Sequence, residues 1–149
     1  MNKLDSNTVV QIGIIVKNVE KTASAYAEVF GIPCPAIVPI AGDTFANTNY
    51  HGRPSSARGK GAFFDLGPVQ MELIEPVGEP STWEEFLRTH GEGIHHIAFK
   101  TQDMGAARRF LASKGMETIQ KGGWEGGQYA YVDCSEQLGL ILELLHSDK

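Results

Sequence analysis

A pattern that occurs twice limits what this 149-residue chain can fold into. In VVQIGIIVKNV a strand-type run carries Gln11, and the helix-start residue Asn18 follows seven positions later. In GIHHIAFKTQDM a second such run carries His96, and Asp103 again follows seven positions later. Each copy closes on an apolar run with a carboxylate inside it, VQMELIEP with Glu72 and LGLILELLH with Glu143. Two copies that each give one ligand-type residue early and one glutamate late point to a pseudo-symmetric pair of modules around a metal ion.

The segments between these marks follow one order in both copies. Residues 9–17 are rich in β-formers and read as a strand. Asn18 can cap the next helix, because its short side-chain oxygen satisfies orphan N–H groups of the first turn. Val19, Ala23, Ala27 and Phe30 recur at helical spacing, and Gly31 supplies the stop. Ile37–Ile40 reads as a short strand and residues 41–60 as a polar loop. Two strands follow, GAFFDLG and VQMELIE, parted by Gly67-Pro68 turn chemistry. In the second copy IHHIAFK is a strand, Asp103 the cap, Ala107, Phe110 and Leu111 the helix stripe and Gly115 the stop. METIQ, QYAYVD and GLILELL are three further strands. Each half is therefore βαβββ. One α+β domain over residues 1–149 is expected, with modules at about 7–77 and 93–146. A connector helix at about 81–90 joins them. Its capping box is Ser81 with Glu84, Trp83, Phe86 and Leu87 are its anchors, and no chemistry is assigned to it.

Strand side chains alternate between faces. Gln11 and His96 then point away from the helix-bearing face, and His95, one position from His96, points to the opposite side. Glu72 shares a face with Ile74, and Glu143 with Ile141 and Leu145. Carboxylates in such apolar surroundings must pair, protonate or bind a cation. No Arg or Lys stands at a matching strand position, so a divalent ion held by Gln11, Glu72, His96 and Glu143 resolves both charges. Amide oxygen, carboxylate and imidazole suit a hard or borderline ion. Arg53, Arg58 and Lys60 in the long loop are candidates to hold an anionic substrate. Trp124, in the glycine-rich hairpin KGGWEGGQ, is a candidate to cover an open cavity.

The net charge of −5 gives no electrostatic case for nucleic acid or an anionic membrane as partner. No apolar stretch reaches the length of a membrane span, and the first residues lack a signal-peptide core. Cys34 and Cys134 fit neither a disulfide framework nor a CxxC metal motif and read as reduced thiols of a cytoplasmic protein.

The repeated strand–helix–three-strand order with Gln11, Glu72, His96 and Glu143 resembles the vicinal oxygen chelate superfamily. The segment ELIEP…STWEEFLRTHGEGIHHIAFKTQDM is most similar to methylmalonyl-CoA epimerases and the related glyoxalase group. The resemblance implies a curved, partly open mixed sheet with helices on the outside. It also implies one divalent ion (Zn, Co, Ni or Mn), a small-molecule substrate and a homodimer. The implied chemistry is that of a metal-dependent isomerase or lyase, which transfers a proton at the carbon beside a carbonyl of a small thioester or α-oxo compound. Glu143 is the first candidate for the base and Glu72 the second.

Alternatives on the same fold are a lactoylglutathione lyase proper and a non-catalytic binding or resistance protein. An iron dioxygenase ranks below these, because Gln11 stands where such sites need a histidine.

Overall fold

Alternating apolar residues build a sheet whose two faces have different tasks. A computed structural model of the protein describes residues 1–148; Lys149, the last position of the expected domain, lies outside the described residues. The first half holds β1 (Gln11–Ile15), α1 (Val19–Phe30), β2 (Val38–Ile40), β3 (Asn49–Tyr50), β4 (Arg53–Pro54), β5 (Arg58–Leu66) and β6 (Val69–Val77). After α2 (Thr82–His90) come β7 (Gly93–Lys100), α3 (Met104–Ser113), β8 (Thr118–Trp124), β9 (Gly127–Cys134), α4 (Ser135–Leu138) and β10 (Leu140–Ser147). The caps act as their chemistry requires. The side chain of Asn18 accepts from Lys21 N–H, that of Ser81 from Glu84 N–H and that of Asp103 from Ala106 N–H. Gly31 takes the left-handed conformation that ends α1.

The strands form one curled open mixed sheet in the order β2-β5-β6-β1-β7-β10-β9-β8-β3-β4. Its centre is a seam where β1 and β7 pair antiparallel, and each of them pairs parallel with the closing strand of its own half. Read outward from the seam, β1-β6-β5-β2 and β7-β10-β9-β8 have the same order, so the two halves are related by an approximate dyad.

The outer face carries α1 and α3. Val19 and Ala23 pack on Phe64, Met71 and Leu73, while Met104, Ala107 and Leu111 pack on Ala130, Val132, Leu142 and Leu144. The inner face gathers Ile15, Ile74, Trp83, Tyr129 and Tyr131, with Ile141 and Leu145 at its margin.

Three expectations are corrected by the structure. The first strand is shorter than residues 9–17, and α4 is a short helix that the run between QYAYVD and GLILELL did not announce. The segment 41–60 is not a plain loop. It sends β3 and β4 across to the far edge of the other half, where Asn49 pairs with Lys121 and Tyr50 with Gln120. Two-residue strands carry no periodicity, and only the exposed edge of β8 makes them strands. The connector α2 reaches the sheet through Trp83, which is buried against the inner face.

Candidate active site

The site is built on four adjacent strands, β6-β1-β7-β10. Glu72, Gly13 and His96 stand in one row across three of them, because Gly13 is the register partner of both Glu72 and His96. Gln11, Ala98 and Glu143 stand in the next row, with Ala98 partner to both others. Each row therefore reads ligand-type, small, ligand-type. The small residues leave room above the sheet for four long side chains to lean together. Gly13 shows how little room there is, since a Cβ built on it falls inside the His96 imidazole.

The four heads converge. His96 Nε2 lies 3.1 Å from Gln11 Oε1, 3.1 Å from Glu143 Oε1 and 3.6 Å from Glu72 Oε1. Gln11 Nε2 turns away and donates to Gln70 Oε1 at 2.7 Å. All four residues are buried. In this orientation the Gln11 oxygen faces Glu143 Oε1 at 3.0 Å and Glu72 Oε1 at 3.3 Å. Turning the amide over would place its nitrogen among these acceptors, but its oxygen would then face Gln70 Oε1 at 2.7 Å.

Two occupants can reconcile such a set of lone pairs: protons or a cation. Burial pushes the Glu72 carboxyl up to about 8, offset in part by His96 and reinforced by Glu143. Burial disfavours charge on His96, yet Glu143 and Glu72 together raise its affinity for a proton. A cation fits equally well on chemical grounds. Oxygen and imidazole donors about 2.1 Å from a common ion stand roughly 3.0–3.4 Å from each other, which is the range found here except for the longer Glu72 separation. Among the described residues no group of three His, Cys, Asp or Glu side chains forms a cation cage by itself. A cation held here would take the Gln11 oxygen as one of its donors.

These shifts give a pH dependence with a definite sign. Glu72 and His96 both hold protons more tightly in the folded protein than in the unfolded chain. Stability of the metal-free protein should therefore fall as pH rises from 6.5 to about 8. Below 6.5 His95, whose affinity for a proton is depressed by burial, acts with the opposite sign. Melting temperatures in chelator across this window check the slope, and a flat profile would contradict it. Saturating Mn²⁺ should remove the slope by replacing the protons.

Above the cluster lies a cavity of about 500 Å³, lined by Gln11, Glu72, Glu143, Trp83, Tyr131 and Trp124 among others. Its walls are mostly apolar or aromatic. Trp83 Nε1 donates to Tyr131 Oη at 3.0 Å, and Gln120 Nε2 donates to Tyr129 Oη at 3.0 Å, so the aromatic wall is held by satisfied polar tips. Trp124 lines the cavity, as its hairpin position suggested.

Arg53, Arg58 and Lys60 do not line it. Arg53 sits exposed on β4 at the sheet edge, Arg58 lines a separate depression with Gly42 and Ser56, and Lys60 is engaged by Glu20 at 3.2 Å and Glu75 at 3.8 Å. Among the described residues the cation that lines the cavity is Lys100, which the sequence reading did not single out. Its signal was available: Lys100 follows His96 by four residues and so shares its strand face.

His95 also departs from simple alternation. The β1–β7 register slips between Gly13 and Ile14, so β7 passes from His96 to Ile94 and His95 is the extra residue. Instead of pointing away, His95 is buried against Phe86 and Tyr131, beside His96.

Known proteins resemble this chain in sequence and in fold. The family model described as Glyoxalase/Bleomycin resistance protein/Dioxygenase superfamily matches residues 10–132. An uncharacterized protein of Bacillus subtilis (strain 168) is 29% identical over 147 residues, covering 97% of this chain and 91% of its own. The mitochondrial methylmalonyl-CoA epimerase of Mus musculus is 26% identical over 137 residues, covering 89% of this chain and 69% of its own. Among solved structures, a hypothetical protein from Bacillus halodurans C-125 superposes with a TM-score of 0.70 at 23% identity over 97% of each chain. A methylmalonyl-CoA epimerase of Streptomyces coelicolor, in complex with 2-nitronate-propionyl-CoA, gives 0.65 at 21% identity over 95% of this chain and 97% of its own.

Proposed function

From the chain's membership of the glyoxalase/bleomycin resistance protein/dioxygenase superfamily, we propose that it is a metal-dependent enzyme moving a proton at the carbon beside the carbonyl of a small acyl thioester. Methylmalonyl-CoA is the first substrate to try, because several relatives are methylmalonyl-CoA epimerases. The convergence of two buried carboxylates, an imidazole and an amide oxygen at the floor of an apolar cavity is what supports this most directly.

Gln11, Glu72, His96 and Glu143 would hold the ion. Once bound, a divalent ion stabilises the negative charge that develops on the substrate's carbonyl oxygen when the neighbouring carbon loses its proton. The protein does the rest. Glu143 turns Oε1 toward His96, which leaves Oε2 to take the proton as general base. Glu72 comes from the opposite side of the cluster and is the second group able to hold a proton there. Trp83, Tyr129 and Tyr131 keep water from the reacting carbon. Lys100 at the rim can meet an anionic part of the substrate.

Deuterium uptake tests the assignment without needing net product. The chelator-treated protein, reloaded with Mn²⁺, Co²⁺, Ni²⁺ or Zn²⁺, is incubated in D₂O with methylmalonyl-CoA, and separately with the hemithioacetal of methylglyoxal and glutathione. Metal-dependent exchange at C2 of the thioester is the expected result. Exchange with the hemithioacetal alone would move the substrate class to an α-oxo adduct. A metal-loaded protein that exchanges neither compound would overturn the proposal.

A further inference from the structure

We propose that His95 is a positioning residue that fixes which nitrogen of His96 carries the proton; this rests on the reading of the four-residue cluster as a cation site. The β7 bulge brings His95 Nδ1 to 2.9 Å from His96 Nδ1. Two ring nitrogens at that distance must share one N–H, since two facing lone pairs repel. Which ring supplies it decides what the other side of His96 can do.

His96 Nε2 faces Gln11, Glu143 and Glu72. It can give a lone pair to a cation only if it carries no proton. The His96 proton then sits on Nδ1 and is donated to His95 Nδ1. In the reverse arrangement His95 Nδ1–H donates to His96 Nδ1. His96 Nε2 then carries a proton directed at Glu143 and is closed to a metal. The single hydrogen bond between the rings thus has one direction that opens the site and one that shuts it.

The rest of the proton inventory fits the open direction. If His95 accepts at Nδ1, its own proton is on Nε2. That nitrogen is buried without a partner, and among the described residues the one other buried side-chain atom in this condition is Thr82 Oγ1. His95 and Thr82 line the same cavity of about 660 Å³ beside α2. The Thr82 backbone carbonyl lies beside the His95 ring and favours a proton on it. His95 is also held in place: it is 2% exposed, and Phe86 and Tyr131 meet it edge-on with ring centroids 5.3 Å and 5.0 Å away.

An imidazole acceptor has a physical advantage in this position. The second nitrogen of a metal-binding histidine is commonly held by a carboxylate or a carbonyl. Here two carboxylates already share the floor of the site. A third behind His96 would add like charge in an apolar setting, whereas a neutral ring orients His96 and adds none.

The test uses the full chain. His95→Leu removes the acceptor, while His95→Asn can place Oδ1 near the position of Nδ1 and restore it. Affinity for Zn²⁺ is measured by calorimetry on chelator-treated proteins, and the tautomer of His96 is read from long-range ¹H–¹⁵N spectra of the Zn²⁺-loaded wild type. His95→Leu should bind about 10- to 100-fold more weakly, His95→Asn should stay within about threefold of wild type, and His96 should carry its proton on Nδ1. Wild-type affinity in His95→Leu, or a proton on His96 Nε2 in the loaded wild type, would overturn the role. If His95→Leu does not fold, the wild-type spectrum decides alone. A wild type that binds no ion removes the cation site itself, and the role of His95 with it. A wild type that binds, with His95→Leu unaffected, removes only the latter.

Discussion

Replacing Glu143 by glutamine should lower the rate of deuterium exchange by about 10²–10⁴-fold, the usual contribution of a positioned general base, while the fold survives. The amide has nearly the volume of the carboxylate and keeps an oxygen to offer the cluster, but it cannot take a proton. Glu143 is buried, and its register partner on β9 is Tyr131, so no solvent base stands ready to replace it. Like charge also decreases, because Glu72 and Glu143 occupy one floor. Against this, Glu143 draws a proton onto His96, so the metal-free variant should melt below wild type where that proton is bound. Metal content measured beside exchange separates the two losses. If Glu143→Gln retains bound ion and full exchange, Glu143 is not the base. Glu72→Gln serves as the comparison, and a larger loss there would transfer the role to Glu72.

The repeat was legible because both halves solve the same physical problem with the same spacing. Asn18 and Asp103 announce their helices by short oxygens that satisfy first-turn N–H groups. Gln11, Glu72, His96 and Glu143 stood out as polar residues inside apolar strands, and the structure brings them together. The unread parts were those that depend on partners distant in sequence. The strands β3 and β4 exist because β8 offers an edge, and nothing local to residues 49–54 says so. His95 was assigned to the wrong side because alternation assumes an unbroken register, and the bulge opposite Gly13 breaks it. Arg53, Arg58 and Lys60 looked like substrate contacts from charge alone, yet Lys60 is engaged by Glu20 and Glu75. A second signal, besides that of Lys100, was present and unused: a small residue follows each early ligand-type residue by two positions, Gly13 after Gln11 and Ala98 after His96. Same-face neighbours two apart cannot both be large where four side chains must meet above them.

Gly13→Ala should be among the most damaging single-atom additions in this chain, and a pairing with His96→Ala shows why. Gly13 lies in extended backbone and has no need of glycine's conformational freedom. What it supplies is space, since the added methyl would occupy the volume of the His96 ring. His96 is fully buried and cannot move aside freely, being wedged between Tyr131 and His95. Overpacking of this kind costs about 1–3 kcal/mol, or roughly 2–12 °C in melting temperature for a chain of this size. A displacement of His96 Nε2 by about an ångström should also weaken divalent-ion binding by on the order of 100-fold, since coordination tolerates only small departures in distance. His96→Ala alone should likewise lose stability, because it leaves a void beside the buried Glu72 and Glu143. In the double variant Gly13→Ala/His96→Ala the new methyl enters space that the ring has vacated. The combined stability loss should therefore be smaller than the sum of the two single losses, by about 1 kcal/mol or more. Thermal and denaturant melts of the four metal-free proteins measure this coupling. Strict additivity would mean that Gly13 and His96 do not share the space assigned to them. Weak ion binding in Gly13→Ala would then need a cause other than displacement of the imidazole.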